Sequence, residues 1–583
     1  MKNLLTLASA GFLLVACNSK PTVPTFNVEH QGDTLSIVNI TNTTRYLLLP
    51  VEENRNEAQV KVNTGDATDT WMDVRLAIDT VDYYVPLALP AGQTARVDIK
   101  NLPASARTWD LLQLSDSFDT TNREYYRPAY HFTPAYGWMN DPNGMTWKDG
   151  EYHLFYQYNP YGSKWGNMHW GHAVSPDMVH WTQLDPAIAR DTLGQIFSGS
   201  SIVKGDTIYS YYTSASDKYG QIQSGAWSVD NGRTYTKFAD NPRITAADGR
   251  RDFRDPKLFK YDGHYYVIIS ADNEMQFFRS DNLHDWTYVS AFGDGYGVQP
   301  RQFECPDFFE LPVEGTDIKK YVMIVNVNPG CYFGGSAGEY FVGNFDGTNF
   351  VCDSKKEVVK WLDWGKDHYA AVTFSNEPKG RIISIPWMSN WQYANDLPTK
   401  QYRSQMGMPR ELFAYKVGKE VYVGQKPVDE ILATLKPTEF TKEGNTIKLG
   451  DNKAQVVIDM DVKNGSTFSL TNANGEEVYF ACKAGRLIMD RSRSGIIPNA
   501  DFAPETYDPK PVLGTTSGTW MPVEQLCGRK NTYHVQLWLD ICSVEMYVEG
   551  GRATMTNLVF PKTPYNALTG NGLSNVKVCT VEP

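Results

Sequence analysis

Three short motifs in the 583-residue sequence each set a carboxylate beside a proline. They are Trp138-Met139-Asn140-Asp141-Pro142-Asn143-Gly144, Phe253-Arg254-Asp255-Pro256 and Phe303-Glu304-Cys305-Pro306-Asp307. Asp141 and Asp255 precede proline directly, and Glu304 precedes it by one more residue. Proline biases its predecessor to extended backbone and cannot donate to a strand ladder, which suits strand ends near a pocket. A single Asp-Pro is most simply a turn. Three acids gathered at one place can do more: an ionised carboxylate attacks or stabilises positive charge, and a protonated one delivers a proton.

Gathering them requires a framework, and the sequence between about 128 and 412 repeats. A turn followed by an aromatic and β-branched strand begins at Asp149, Gly205, Asp262, Asp317 and Lys379, at intervals of 56, 57, 55 and 62 residues. In phase with it, segments beginning Ser175-Pro176-Asp177, Ser228-Val229-Asp230 and Ser280-Asp281-Asn282 start 53 and 52 residues apart. Units of this length hold four strands with their turns, the size of a propeller blade. They lack the 3.6-residue apolar period of a helical solenoid. The reading is a five-bladed β-propeller over 128–412. Each acidic motif lies just upstream of a repeat strand, where an innermost strand belongs, so three blades aim one carboxylate each at a common axis.

In this order the three motifs resemble the signature motifs of glycoside hydrolase family 32, the family of invertases, inulinases, levanases and related β-fructofuranosidases. The resemblance runs from about Tyr130 to the end of the chain and leaves out the segment before it. It implies that Asp141 is a nucleophile, Glu304 the general acid/base and Asp255 a stabiliser that hydrogen-bonds fructose hydroxyls. A retaining glycosidase needs two carboxyl groups about 5–5.5 Å apart, one to attack the ring carbon and one to protonate the leaving oxygen. The resemblance further places Asn140, Gln157, Trp165, Phe197, Ser198 and Arg254 against the terminal fructose. Asp367, in Asp363-Trp364-Gly365-Lys366-Asp367-His368-Tyr369-Ala370, and Trp387, in Ile385-Pro386-Trp387, resemble fifth-blade pocket positions. No cofactor or metal is implied. His169 and His172, three apart in a strand, face opposite sides and cannot easily grip one ion.

The activity implied is hydrolysis of levan or inulin from the chain end, since Gln157, Trp165 and the Asn140-Asp141 pair suggest a closed pocket for one terminal sugar. Endo-acting cleavage is the near alternative. A non-catalytic fructan-binding lipoprotein predicts loss of at least one acid, and all three are present. A related five-bladed glycosidase for arabinan or xylan is opposed by the Trp-Met-Asn-Asp-Pro-Asn-Gly motif.

Composition fits this frame. The net charge is −12 and no basic stripe is present, which removes the electrostatic footprint of nucleic-acid binding. Aromatic residues make up 13% of the chain, a share that aromatic-rich β cores explain most simply and that also suits a ligand that stacks on flat rings. Residues 1–16 have signal-peptide form, too short to span a bilayer, and end in Leu14-Val15-Ala16-Cys17, which resembles a lipoprotein cleavage box. The expectation is a chain lipidated at Cys17 and anchored in a Gram-negative-type envelope, on the periplasmic face or the cell surface. The other seven cysteines are scattered without CxxC spacing, against a disulfide framework or zinc site. Short alternating strands over 17–127 predict an N-terminal β module, and strand-rich 420–583 predicts a C-terminal β-sandwich. Oligomeric state is left open.

Overall fold

The computed structural model describes residues 23–32, 34–65, 69–90, 92–121, 124–250, 252–450, 454–503 and 518–583. The signal-peptide segment and Cys17 lie outside the described residues. Among the described residues no helix is long and apolar enough to cross a membrane. The chain is almost entirely β-structure.

Five sheets make the propeller. In the first blade Gly137–Lys148 is followed by Glu151–Asn159, His169–Ser175 and Thr182–Ile188, each pairing antiparallel with the one before. The next three blades begin with Gln195–Lys204, Phe253–Tyr261 and Phe303–Pro312 and repeat this order. The fifth comprises Tyr369–Thr373, Ile383–Trp387, Arg410–Val417 and Glu420–Pro427. The propeller therefore ends at Pro427 rather than 412, because its last hairpin completes the fifth blade. The ring is closed by a short parallel pairing of Tyr402–Arg403 onto the first innermost strand. The repeat seen in the sequence is the second strand of each blade together with the hairpin turn before it. The repeat in phase with it is the turn out of the third strand. There Ser175, Ser228 and Ser280 each hydrogen-bond the side chain two residues on, at 2.8–3.1 Å, and so redirect the chain toward the fourth strand.

Residues 25–115 form a separate sandwich, with a five-stranded sheet facing a three-stranded one around Val38, Leu47, Val60, Val85 and Val97. C-terminal to the propeller, six- and seven-stranded sheets pack face to face over residues 435–581. Their strands include Val456–Lys463 and Ser543–Val548. Alternation makes the latter look half exposed, yet all six of its residues are buried. Val544, Met546 and Val548 fill the sandwich core, while Glu545 and Tyr547 face charged and aromatic groups of the propeller. Burial on both faces removes the solvent side that alternation implies.

Candidate active site

Every innermost strand of the propeller is irregular at the same place. Opposite two residues of its neighbour it spends three, so one residue is extra at 140–141, 197–198, 255–256, 305–306 and 370–371. Such bulges bend a strand and re-aim its side chains. Asp255, Cys305 and Ala370 adopt left-handed backbone there, with φ of 64°, 42° and 51°, a conformation non-glycine residues hold only when their surroundings impose it. The prolines of the second and third motifs now have a reason: Pro256 and Pro306 sit in the bulge itself, where the missing N–H costs no ladder bond. Around this bulge the three acids take successive places. Glu304 stands just before its bulge, Asp255 is the first bulged residue and Asp141 the second.

Around them the hydrogen bonds interlock. Asp141 accepts from Ser198 Oγ at 2.8 Å, from Asn140 Nδ2 at 3.1 Å and from the Cys305 thiol at 3.3 Å. Asn140 is itself held by Trp138 Nε1 at 2.8 Å. Asp255 accepts the Cys305 backbone N–H at 2.9 Å, so one residue ties two of the acids together. Arg254 donates to Glu304 at 2.8 Å, and the Tyr369 hydroxyl donates to the other oxygen of Glu304. Burial, with the charge of Glu304 added, raises the Asp141 carboxyl above its usual range. Burial also pushes Asp255 up to about 7, although Arg254 pulls the other way. For Arg254, burial alone would lower the guanidinium, but Glu304 and Asp255 hold it above its ordinary value. The Cys305 thiol is raised well above normal by burial and by Asp141, so it stays neutral and serves as a donor.

The acids open into a cavity of about 310 Å³, lined also by Asn140, Gln157, Trp165, Phe197, Ser198 and Arg254. Below them the propeller axis is filled, with only about 10 Å³ of space among Pro142, Lys257, Cys305 and Thr373. Lys257 plugs it by bonding Asp307 and the Thr373 carbonyl, both at 3.0 Å. The pocket is therefore blind. Trp165, 38% exposed, meets Phe197 edge-on at its rim, with ring centroids 6.0 Å apart.

Two expected pocket residues are elsewhere. Asp367 is fully buried between propeller and C-terminal sandwich, where it pairs with Arg491 and accepts from Tyr393 at 2.6 Å and Leu558 N at 2.8 Å. Trp387 is fully buried behind the pocket, bonded to Ser404 and packed on Trp138 and Trp391. The segment 363–370 does reach the site, but through Tyr369, two residues after Asp367. Trp391, Gln221, Asp252 and Asn328 also line the pocket and went unpredicted. Asp252, two residues before Arg254 and bonded to it at 3.3 Å, was the one with a local signal. His169 and His172 have separate partners, Asn167 O and His153.

A propeller whose filled axis ends in a blind pocket, with three carboxylates on three blades and aromatic rings at the mouth, defines a glycosidase. Residues 131–427 match the N-terminal domain of glycosyl hydrolases family 32, and residues 429–578 match its C-terminal domain. The chain belongs to that family. Residues 32–130 match a domain of unknown function, DUF4980. A levanase of Bacillus subtilis is 38% identical over 510 residues, covering 81% of this chain and 73% of the levanase. An extracellular exo-inulinase of Aspergillus niger is 32% identical over 496 residues, covering 75% of this chain and 90% of the inulinase. Among solved structures, the exo-inulinase from Aspergillus awamori superposes with a TM-score of 0.71 at 28% identity, over 80% of this chain and 99% of its own.

Proposed function

We propose that the chain hydrolyses β-fructosidic bonds of fructans, levan or inulin, from the chain end and with retention of configuration. The observation that carries this is the convergence of Asp141, Asp255 and Glu304 on one blind pocket. A terminal fructosyl unit enters and stops against the filled axis, so the bond presented to the acids is the one next to it. Endo-acting cleavage requires a cleft open past the acids on both sides, and the plugged axis argues against it. Similarity to a levanase and to exo-inulinases supports the substrate class.

In this reading Glu304 donates its proton to the departing oxygen as Asp141 attacks the anomeric carbon, giving a fructosyl ester. Water enters through the mouth once the leaving sugar has gone. Glu304 takes its proton, the oxygen bonds the anomeric carbon, and Asp141 leaves as a carboxylate. Tyr369 and Arg254 fix the Glu304 carboxyl from both sides, while Ser198 and Asn140 hold Asp141. Asp255, beside the same ring, accepts hydroxyl hydrogen bonds that strengthen as positive charge develops.

Chromatography of products from levan, inulin and sucrose tests this. Fructose alone from the first minutes is expected, and early oligosaccharides would sink the exo assignment. Asp141→Ala and Glu304→Gln should each lose about 10²–10⁴-fold in kcat. Wild-type rates in either variant would overturn the roles. The Leu14-Val15-Ala16-Cys17 pattern supports a lipid-anchored form in a Gram-negative-type envelope. Labelled palmitate should enter the wild type and not Cys17→Ala, and protease treatment of intact cells distinguishes the surface from the periplasmic face.

A further inference from the structure

The pocket mouth continues into a second cavity of about 480 Å³. It shares Phe197, Gln221 and Asp252 with the pocket and extends past Gln195 and Arg190 to Asp73. Asp73 is on strand Met72–Val74 of the N-terminal sandwich, so the module of unknown function reaches the outlet of the catalytic pocket. The joint there is made by backbone. Asp73 N donates to Asn167 Oδ1 at 2.9 Å, and Asn167 Nδ2 donates to Asp73 O at 2.7 Å. Arg190 donates to the same Asn167 oxygen at 3.0 Å. The Asp73 carboxylate accepts one long hydrogen bond, from Gln59 Nε2 at 3.4 Å, and feels the charge of the Arg190 guanidinium across the groove.

The other walls have polar capacity to spare. Arg190 Nε is buried without a partner. Gln195 uses its oxygen to accept from Met168 N at 2.9 Å, and Gln221 uses its oxygen on Phe253 N and Arg254 at 3.0 and 3.1 Å. The amide nitrogens of both remain for a ligand. A surface that alternates acceptor carboxylates with amide and guanidinium donors suits sugar hydroxyls, each of which both gives and accepts. At its inner end Gln221 and Asp252 hold Arg254, which holds Glu304, so the groove meets the pocket beside the arginine that fixes the proton donor, and from there it runs over the second blade to the N-terminal module.

We propose that this groove binds the fructosyl units on the departing side of the cleaved bond, with the N-terminal module supplying Asp73 to their recognition. The proposal rests on the fructan reading above. It makes the module part of the substrate site rather than a spacer. Its test is substrate length. In the full chain, Asp73→Ala should lower kcat/KM for long fructo-oligosaccharides about five- to tenfold, mainly through KM. The loss on sucrose, which barely enters the groove, should be several-fold smaller. Because backbone atoms make the joint, the fold should survive, and Asp73→Asn provides an isosteric second variant. Equal losses on short and long substrates, or none on either, would overturn the groove. Should the wild type cleave no fructoside, the hydrolase reading fails first, and calorimetry on Glu304→Gln then decides the groove. Affinity that rises with oligosaccharide length and drops in Glu304→Gln/Asp73→Ala supports it, whereas affinity independent of length rejects it.

Discussion

Asp255 is held where a carboxylate is uncomfortable, and the consequence is measurable. In the native chain burial keeps its proton on up to a pH of about 7, while an unfolded chain releases it near 3.8. Between those values the native state binds more protons than the unfolded state, so this residue's contribution to stability falls as pH rises and is at its worst above 7. Asp255→Asn carries no charge to bury. Its melting temperature should exceed that of the wild type by about 2 °C or more at pH 8, with the gain vanishing by pH 4. Activity should meanwhile drop about 10²–10³-fold, since the developing positive charge loses its carboxylate. Thermal unfolding at the two pH values checks the sign, and a variant no more stable at pH 8 than at pH 4 would refute it. At this scale the acids were legible because proline marks each of them. Tyr369, Trp391 and Gln221 were not, because they enter the pocket from segments whose direction is set by packing against other blades. Asp367 misled for a related reason: the motif around it does reach the site, but Tyr369 opens the innermost strand, whereas Asp367 lies in the segment before it and is held against the other domain by Arg491 and Leu558 N.

Among the elements, the innermost strands do the positioning, and what they need is irregularity. The blade repeat was visible because second strands and their turns recur in type and spacing. The shared bulge was invisible, because an extra residue shows only against the partner strand. That is why Asp141, Asp255 and Glu304 could be assigned to three blades but not to their successive steps around the bulge. The loop into the Glu304 strand is similarly exacting. Gly297 has φ of +61°, and a Cβ there would lie 2.0 Å from Glu339 Oε1. Glu339 in turn accepts the Val298 N–H at 3.1 Å and is pushed up to about 8 by burial, so it has little freedom to withdraw. Gly297→Ala should therefore cost about 1–3 kcal/mol and displace the approach to Glu304. A melting temperature unchanged from wild type would show that the loop can give way. Gly263→Ala, at an open hairpin turn with φ of +81°, is the control for backbone strain without the clash.

At the scale of the molecule, the propeller and the C-terminal sandwich are joined by buried charge, which explains why the family signature extends beyond the catalytic blades. Glu545 of the sandwich accepts from Arg410 and from His131, the latter at 2.6 Å, while Asp540 takes the other nitrogen of His131 at 2.8 Å and Asp363 takes Arg410 at 2.9 Å. The same face holds Asp367 against Arg491 and lets Asp363 accept from Thr556 N and Oγ1, so segment 363–370 is clamped to the sandwich at two points just before it delivers Tyr369 to Glu304. Burial alone would lower His131, but Asp540 and Glu545 raise it to about 9. Burial alone would raise Glu545, but Arg410 and His131 hold it at about 2. The signs follow. His131 contributes its full stabilisation below 6.5 and loses it as pH rises through about 9, whereas Glu545 contributes above 4.5 and loses its share as pH falls through about 2. Glu545→Gln leaves a buried guanidinium and imidazolium short of a carboxylate, at a cost of about 3–5 kcal/mol. The deficit in melting temperature relative to wild type should be greatest between pH 5 and 6.5. It should narrow toward pH 10 as His131 loses its charge, without closing, because Arg410 keeps its own. A deficit that is flat from pH 6 to 10 would mean that His131 carries no charge in the joint, and that Arg410 alone ties the sandwich to the blades.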